Sequence, residues 1–400
     1  MTGEVWITGI GLVTALGEGE AAQWEALQAP ARWRARIDSQ SLPPFHLHPI
    51  AGFDLDRYIP KKGDQRAMGP LMHYGVSAAA MALADAGLAG DAPTLGRADL
   101  SVAAPCGERD LAVDEQILGA MTGSNDPGPM INERLLTDLR PTLFLAQLPN
   151  LFAGNISIVL GVTGSSRTFM GEEAAGVAAL RNAFMRVSAG QSEISLAGGC
   201  FNANRPDGLA LYGPGGYLLE GPWRPLWHRP QGGMTLGSAG AFLVLESPAH
   251  ATRRGRKPRA RLAAIAADQS DRRPGAARAA AERALGGLAI PAGGLGVLSG
   301  ASGVGAVTAE ERDWLAALAA RRAGTSVRGT AAALGHAMEA SFAANLALAV
   351  LCLGRAELFP ALAPEEPLEA AVLNAPLRAV LVTAWGHHRG EGLALVEAPE

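Results

Sequence analysis

The sequence predicts an α/β protein built from two similar halves. Short apolar and β-branched runs, the pattern of buried strands, recur along the chain and alternate with alanine-rich stretches that have helical spacing. Fifty glycines among the 400 residues allow helices and strands to approach each other closely. Two successive strand and helix series have similar content, so we predict a duplicated architecture with one half at residues 1–250 and the other at residues 251–400.

The first half opens with a predicted buried strand at residues 5–10, which Gly11 ends. Small and apolar side chains at helical spacing predict a helix at residues 70–86. A second small-residue helix follows the loop VTGSSRTFMG and is predicted at residues 172–189. The remaining predicted elements of this half are strands at residues 193–199 and 239–246 and a helix at residues 247–254.

The second half follows RRGRKPRAR at residues 253–261, the one dense basic run of the sequence. We interpret this run as a solvated connection between the halves, with a docking surface for an acidic partner as the alternative. The elements predicted after it are a helix from AARAAAERAL, helices at residues 309–322 and 337–353, a strand at residues 295–298, and a strand pair at residues 379–384 and 392–397.

Composition argues against several classes of function. The chain is 48% hydrophobic and 18% charged, as globular proteins are, and its net charge of -4 offers no basic field for phosphates, so we expect no nucleic-acid partner. Three cysteines are too few for a disulfide framework. Cys106, Cys200 and Cys352 also stand far apart with no paired Cys/His spacing for a structural metal site, so we predict that they are buried core residues. The N-terminal segment has no basic stretch and is interrupted by glycine and threonine, so we predict no signal peptide, no membrane span and a cytoplasmic location.

Segments along nearly the whole chain share their order and spacing with one enzyme family. They are VWITGIGLVTALG, RAMGPLMHYGVSAAAMALADAGL, LPNLFAGNISIVLGVTGSSRT with AGGCFNANRPDG, RPLWHRPQGGMTLGSAGAFLVLESPAHATRRGRKPRARL, and GHAMEASFAANLALAVLCLGRAELFP. Together they resemble the β-ketoacyl-acyl carrier protein synthases of the thiolase superfamily, especially the elongating type and its type II polyketide relatives. The resemblance implies a thiolase-like α/β fold layered α-β-α-β-α, with two five-stranded mixed sheets and no cofactor. It also implies a dimer, in which residues 156–160 and 163–169 form the strand that pairs with the partner.

Active members of this family hold a nucleophilic cysteine at a helix N-terminus and two histidines. The resemblance places Glu173 of GSSRTFMGEEAAG at the cysteine position, where a carboxylate cannot form the acyl thioester. It places Ala301 at the position of the first histidine, and His336 of LGHAMEA at that of the second. The neighbouring Glu172 is predicted to point to another side of the helix. One retained histidine predicts a poor condensing catalyst.

A loop near the C-terminus resembles the family's Phe-Gly-Phe-Gly-Gly gate of the acyl pocket. In TAWGHHRGEG, Trp385 and Gly386 match the first pair, and His387 falls at the gate itself. His388 and Arg389 replace glycines, so the loop is predicted to be stiffer and more polar. Adjacent histidines point in different directions and the sequence suggests no third ligand, so we predict no metal site.

These substitutions predict a β-ketoacyl synthase-like subunit of fatty acid or type II polyketide biosynthesis that is inactive in condensation. It would act as a chain length factor beside an active ketosynthase and would also meet an acyl carrier protein. One alternative is a malonyl-acyl carrier protein decarboxylase, for which Glu173 must be protonated. The other is a homodimeric protein that binds acyl groups or the carrier protein. A heterodimer with an active paralogue and a homodimer both remain open.

Overall fold

The structure is a computed structural model that describes residues 3–139, 145, 147–229, 231–373 and 375–399. The strands in these ranges are β1 (Trp6–Thr14), β2 (Gly17–Glu18), β3 (Leu47–His48), β4 (Asp99–Ala103), β5 (Ser166–Phe169), β6 (Ile194–Phe201), β7 (Leu236–Gly237), β8 (Ala239–Glu246), β9 (Ala260–Asp268), β10 (Gly294–Ser299), β11 (Thr325–Gly329), β12 (Leu377–Trp385) and β13 (Glu391–Glu397). The α-helices are Gly19–Leu27, Pro30–Arg34, Lys62–Arg66, Pro70–Asp85, Ala92–Leu95, Leu111–Thr122, Pro127–Asp138, Asn150–Leu160, Glu172–Ser188, Pro206–Tyr212, Pro248–Arg253, Ala276–Gly286, Gly305–Arg321, Ala331–Leu334, Ser341–Arg355 and Pro367–Ala370. Short 3-10 turns lie at Leu55–Arg57, Leu226–His228 and Met338–Ala340.

The strands of the two halves have the same topology. In the first half the order is β5-β4-β6-β8-β1, and in the second it is β11-β10-β12-β13-β9. In each half the first three strands are mutually parallel and the last two pairings are antiparallel. This repeated order confirms the predicted duplication, whereas the exact division at residues 250 and 251 stays a prediction.

The two five-stranded sheets are joined, which differs from the prediction of two separate sheets. β1 pairs with β9 over two residue pairs, Trp6 with Arg261 and Ile7 with Ala260. This short antiparallel contact connects the halves into one continuous sheet, to which β2 adds an eleventh strand beside β1. β3 and β7 form a separate two-stranded ribbon.

The elements stack in the predicted α-β-α-β-α layers. The helices Glu172–Ser188 and Ser341–Arg355 pack against strands of both halves and therefore form the middle layer. The helix Pro70–Asp85 covers the outer side of the first half, while Ala276–Gly286 and Gly305–Arg321 cover the second. Gly11 of β1 allows the first contact, because a Cβ there would lie 1.9 Å from the carbonyl oxygen of Ala78.

The predicted pairing strand at residues 156–160 is wrong. These residues belong to the helix Asn150–Leu160, whose buried face contains Phe152, Ala153 and Ile156 at helical spacing. The family resemblance implied a strand here, but the burial period is that of a helix that packs on Pro70–Asp85. Residues 166–169 do form a strand, β5, at the edge of the sheet.

The basic run is not simply solvated, as the sequence interpretation held. Arg256 donates to the carbonyl oxygens of Ala86, at 2.7 Å, and Asp85, at 3.1 Å, where the helix Pro70–Asp85 ends. Arg254 donates to the same Ala86 oxygen at 3.1 Å, and Arg259 pairs with the Asp85 carboxylate. Arginines at the C-terminal end of a helix satisfy its free carbonyl groups. The run therefore fastens this helix to the sheet.

Within the described part of the chain, one helical segment is long and apolar enough to cross a membrane. Met338–Arg355 has a mean hydropathy of 1.3 over 18 residues. However, 83% of that stretch is buried inside the fold. This burial is what the central helix of a layered domain requires.

The buried carboxyl of Glu311 makes the stability depend on pH. Its Oε1 accepts hydrogen bonds from Ser299 Oγ at 2.7 Å and Thr383 Oγ1 at 2.5 Å. Burial raises the pKa of Glu311 to about 7, although those hydrogen bonds and the charge of Arg272 act in the opposite direction. Because the folded-state pKa lies above the unfolded value, the unfolded chain releases this proton first, and stability falls as pH rises from about 4.5 to about 7.

We expect Glu311→Gln to remove this loss. From pH 5 to pH 8 the parent should lose up to about 3 kcal/mol of unfolding free energy through Glu311, and the variant should not. Urea denaturation of both proteins at both pH values measures this difference. Glu115→Gln, at an exposed carboxyl on another helix, is the control and should show the same loss as the parent. Removal of the loss in both variants would contradict the role of Glu311.

Candidate functional site

The candidate site lies where three segments meet at one end of the middle helix layer. Glu173 is in the first turn of the helix Glu172–Ser188. His336 lies in the loop just before the helix Ser341–Arg355, and His387 lies in the connection between β12 and β13. Only the fold brings these residues together, since more than 160 positions separate Glu173 from either histidine.

The chain turns sharply before Glu173. Gly171 has φ 124° and Glu172 has φ 58°, so both occupy the left-handed half of backbone space, which is uncommon for a residue with a side chain. The helix begins at Glu172 itself, so both glutamates lie in the first helical turn. Negative groups are favourable there, because the free N–H groups of a helix start carry partial positive charge.

Glu173 is buried at 3% exposure and is held by both histidines. Its Oε1 lies 2.7 Å from His336 Nε2 and 3.0 Å from His387 Nδ1, and it also accepts the backbone N–H of His387 at 3.1 Å. His336 is fixed by its own backbone, which donates to the Thr235 oxygen at 2.7 Å and accepts from Gly237 at 3.0 Å. Since an ionised carboxylate only accepts hydrogen bonds, the ring nitrogens that face it carry protons.

These contacts set the protonation of the cluster. Burial alone would raise the pKa of Glu173, but the hydrogen bonds and charges of His336 and His387 outweigh burial and hold that pKa well below its usual range. For His387, burial lowers the pKa, but the adjacent Glu173 and Glu172 carboxylates raise it overall. The centre of the site is therefore an ionised carboxylate beside a histidine that favours the protonated form.

Two further carboxylates, both missed as site residues by the sequence analysis, face this cluster. Glu172 Oε1 lies 3.6 Å from His387 Nε2, so the prediction that Glu172 points elsewhere is wrong. Glu339 is 4% exposed, and its Oε1 accepts the backbone N–H of Glu172 at 3.0 Å. Burial raises the pKa of Glu339 to about 7. The motif itself offered a signal, because Glu339 stands at the second glycine of the Gly-His-x-x-Gly-Ala pattern that GHAMEA resembles.

Hydrogen bonds and an ion pair hold the loop between β12 and β13 in place. Gly386 N donates to the Gly390 oxygen at 2.9 Å and closes the turn, while Arg272 donates to the Gly386 oxygen and pairs with Glu391. Trp385 is buried before this turn, and its ring packs edge-on against Trp314 at 5.5 Å. These contacts restrain the loop, whereas its greater stiffness stays a prediction.

His387 is confined between Glu173 and two aromatic rings. Tyr217 and Tyr212 lie edge-on to the imidazole, with centroid distances of 5.1 Å and 5.7 Å. The imidazole is therefore packed inside the fold, at 5% exposure. Its neighbour His388 is exposed, so only one histidine of the pair enters the site.

Ala301 lies in the loop after β10 and is 1% exposed. Its backbone N–H donates to Ser299 Oγ at 3.1 Å, and its methyl side chain has no hydrogen-bonding atom. The preceding Gly300 lines the same small internal cavity as His336. The position assigned to the first histidine is thus next to the site, but its side chain can neither donate a hydrogen bond nor transfer a proton.

A cavity of about 710 Å³ opens beside the start of the helix. Its walls include Glu172, Glu339, Tyr212, Met170 and Leu211. Met170 and Leu211 are 55% and 68% exposed, so the cavity has an apolar rim. Arg109 and Arg205 also line it, so its walls carry charges of both signs beside this apolar rim.

The cysteines divide into two classes. Cys200 and Cys352 are buried, as predicted, and burial raises the pKa of both thiols, that of Cys352 to about 12. Cys106 is exposed at the cavity, so its assignment to the core is wrong. Thiol alkylation requires an accessible thiolate.

We therefore expect iodoacetamide to modify one thiol per native chain. Intact-mass analysis should show a single adduct, peptide mapping should place it on Cys106, and Cys106→Ser should remove it. Rapid modification of Cys200 or Cys352 in the native protein would contradict this assignment.

Comparison with known proteins gives consistent matches. The family model for the beta-ketoacyl synthase N-terminal domain matches residues 2–251. The 3-oxoacyl-[acyl-carrier-protein] synthase 2 of Vibrio cholerae is 26% identical over 261 residues, which cover 63% of this chain and 60% of that protein. The oxytetracycline polyketide putative beta-ketoacyl synthase 1 of Streptomyces rimosus is 29% identical over 277 residues, covering 66% and 62%. The chain thus matches about three fifths of the length of these relatives.

A solved structure described as the ishigamide ketosynthase/chain length factor has a similar fold. Its TM-score is 0.80 at 20% sequence identity, and the match covers 100% of both chains. At this level of identity the similarity shows the fold alone.

Proposed function

Because the chain belongs to the β-ketoacyl synthase family, we propose that it is a ketosynthase-like subunit of fatty acid or type II polyketide biosynthesis that does not condense acyl groups by itself. It acts in the cytoplasm as a chain length factor beside an active ketosynthase. The observation that carries this proposal is the buried carboxylate of Glu173, which both His336 and His387 hold by hydrogen bonds and which the resemblance assigns to the cysteine position. A carboxylate in this state forms no acyl thioester.

The retained histidine is not available for the family's chemistry. His336 Nε2 faces Glu173 at 2.7 Å, so the proton that would stabilise a thioester oxygen is already donated. Ala301 supplies no second donor. The active centre therefore has to come from another chain.

The surface next to the site supports pairing with a second ketosynthase-fold subunit. Among the described residues β5 pairs with β4 on one side, and its other edge is open. Ile158 of the adjacent helix is 69% exposed, and Met170 directly after β5 is 55% exposed. An open edge with apolar neighbours favours strand pairing across a dimer. The cavity beside this edge would then receive part of the growing acyl chain from the partner.

The decarboxylase alternative receives less support. It needs a protonated Glu173 that donates a hydrogen bond, whereas the histidines hold the pKa of this carboxyl well below its usual range. The docking alternative for the basic run is also weakened, because Arg254, Arg256 and Arg259 make contacts within the chain. We retain the acyl carrier protein as a partner of the assembled pair.

Mass spectrometry of the intact chains tests this function. The chain is incubated with acyl- and malonyl-acyl carrier protein, alone and with the active ketosynthase encoded nearest to it. We expect condensation only with both chains present, and acyl groups only on the partner's cysteine. Acylation of this chain, or malonyl decarboxylation by it alone, would overturn the proposal. A monomer in size-exclusion chromatography, alone and with the partner, would overturn the pairing.

A further inference from the structure

A second cavity, of about 720 Å³, lies beside the start of the helix Gly305–Arg321. Three arginines line it, Arg224, Arg229 and Arg312, whereas no aspartate or glutamate among the described residues does. We propose that this cavity binds the phosphate group of a small organic phosphate. The proposal goes beyond the proposed function and does not depend on it.

The buried guanidinium of Arg229 is the first indication of an anionic ligand. This residue is only 8% exposed. It donates to the carbonyl oxygens of Arg224 at 3.1 Å and Gly233 at 2.6 Å, and at 3.4 Å to the Thr235 hydroxyl. All three acceptors are neutral. Burial alone lowers the pKa of Arg229, to about 10, so the group stays charged at neutral pH without a carboxylate beside it. A buried charge without a counter-charge is costly, and a bound anion would remove that cost.

The start of the helix adds further donors on the same side. No side chain caps it, and the backbone N–H groups of Gly305, Ala306 and Val307 have no hydrogen-bond partner in the part of the chain that the structure describes. Such groups carry partial positive charge and bind anions. The guanidinium of Arg229 lies next to them, because a Cβ on Gly303 would be 2.6 Å from its Nη1. The buried charge and the helix start therefore line one cavity.

The other two arginines of the cavity are available to a ligand. Within the described ranges Arg224 makes no ion pair, and Arg312 has only a 3.5 Å contact with the adjacent Asp313. Arg224 is exposed and Arg312 is partly exposed, so both side chains can turn toward a bound molecule. Guanidinium groups bind phosphate oxygens through pairs of parallel hydrogen bonds.

The remaining wall of the cavity is consistent with a phosphate ester. His228 lies 3.4 Å from Glu365 and 3.2 Å from Glu366, so these carboxylates offset the imidazole and not the three arginines. Leu226 and Trp227 line the cavity and offer an apolar surface to the organic part of the ligand. Three arginines and a helix start match the charge and oxygens of a phosphate monoester better than the single charge of a carboxylate.

Calorimetric titration with phenyl phosphate tests the site. We expect one molecule bound per chain, displacement by inorganic phosphate, and clearly weaker binding of benzoate. Arg224→Gln and Arg312→Gln should each weaken the binding of phenyl phosphate at least ~10-fold, since each removes hydrogen bonds between charged groups. Neither side chain is buried, so both variants should fold, which circular dichroism checks.

Arg321→Gln is the matched control, because it removes the same charge from the last turn of the same helix. It should bind phenyl phosphate as the parent does. The proposal would be overturned by the absence of saturable binding to the parent, by unchanged binding in both cavity variants, or by an equal loss in Arg321→Gln. Benzoate that binds as tightly as phenyl phosphate would also overturn it, because the site would then not select phosphate.

Discussion

Replacing Glu173 with alanine is expected to lower the free energy of unfolding by about 3–5 kcal/mol, the usual cost of removing one partner from a buried ion pair. The substitution removes the acceptor of four hydrogen-bond contacts, from His336 Nε2 and from the backbone and ring of His387. Both imidazoles are nearly fully buried and would lose their partner. Urea denaturation at pH 7 measures the change.

Glu172→Gln is the matched control for this stability experiment. It changes a partly exposed carboxyl one residue away, in the same helix turn, and alters the 3.6 Å contact with His387 and a hydrogen bond with Tyr212. We expect a change within about 1 kcal/mol. Equal losses in the two variants would mean that the histidines do not depend on Glu173 in particular.

Replacing Glu173 with cysteine is expected to create an acylation site where the parent has none. The side chain sits after a sharp turn at a helix N-terminus, where a thiolate is stabilised and becomes nucleophilic. His336 and His387 lie close enough to this position to stabilise a thiolate in the same way. In a Cys106→Ser background, acyl-acyl carrier protein should therefore add one acyl group per chain, seen by intact-mass analysis.

Condensation by this cysteine variant should remain weak, because Ala301 cannot supply the first histidine. A missing proton-transfer group costs about 10²- to 10⁴-fold in rate, so adding Ala301→His should raise product formation by a factor in that range. Glu173→Ser in the same background is the control and should not form the thioester. If the Ala301→His addition has no effect, the assignment of position 301 is wrong.

Much of the fold could be predicted from local patterns. The helix at 172–189 and the strand at 239–246 have apolar spacing that agrees with their tertiary burial, and the structure places them at Glu172–Ser188 and Ala239–Glu246. The strand at residues 156–160 was implied by the family resemblance and was wrong, because this short apolar run forms part of a helix. Packing against the neighbouring helix decided that case.

The candidate site was predictable only in part. The motif resemblance singled out Glu173, His336 and His387 one at a time, but no spacing in the sequence indicated that both histidines bind the same carboxylate oxygen. Glu172 was assigned to another face because the sharp backbone turn before the helix is invisible in the sequence. Glu339 could have been found, since it replaces a motif glycine.

The sequence by itself determined the duplicated α/β architecture, because helical and strand periods are local properties of the chain. It also predicts the loss of the condensing cysteine, because the family resemblance places Glu173 at that position and a carboxylate forms no acyl thioester. Only the tertiary structure decided what surrounds Glu173: a largely buried cluster of three carboxylates and two histidines drawn from three distant segments. The physical reason is that protonation and ligand geometry depend on distances of a few ångströms between residues far apart in the chain, which the packing of the two halves sets.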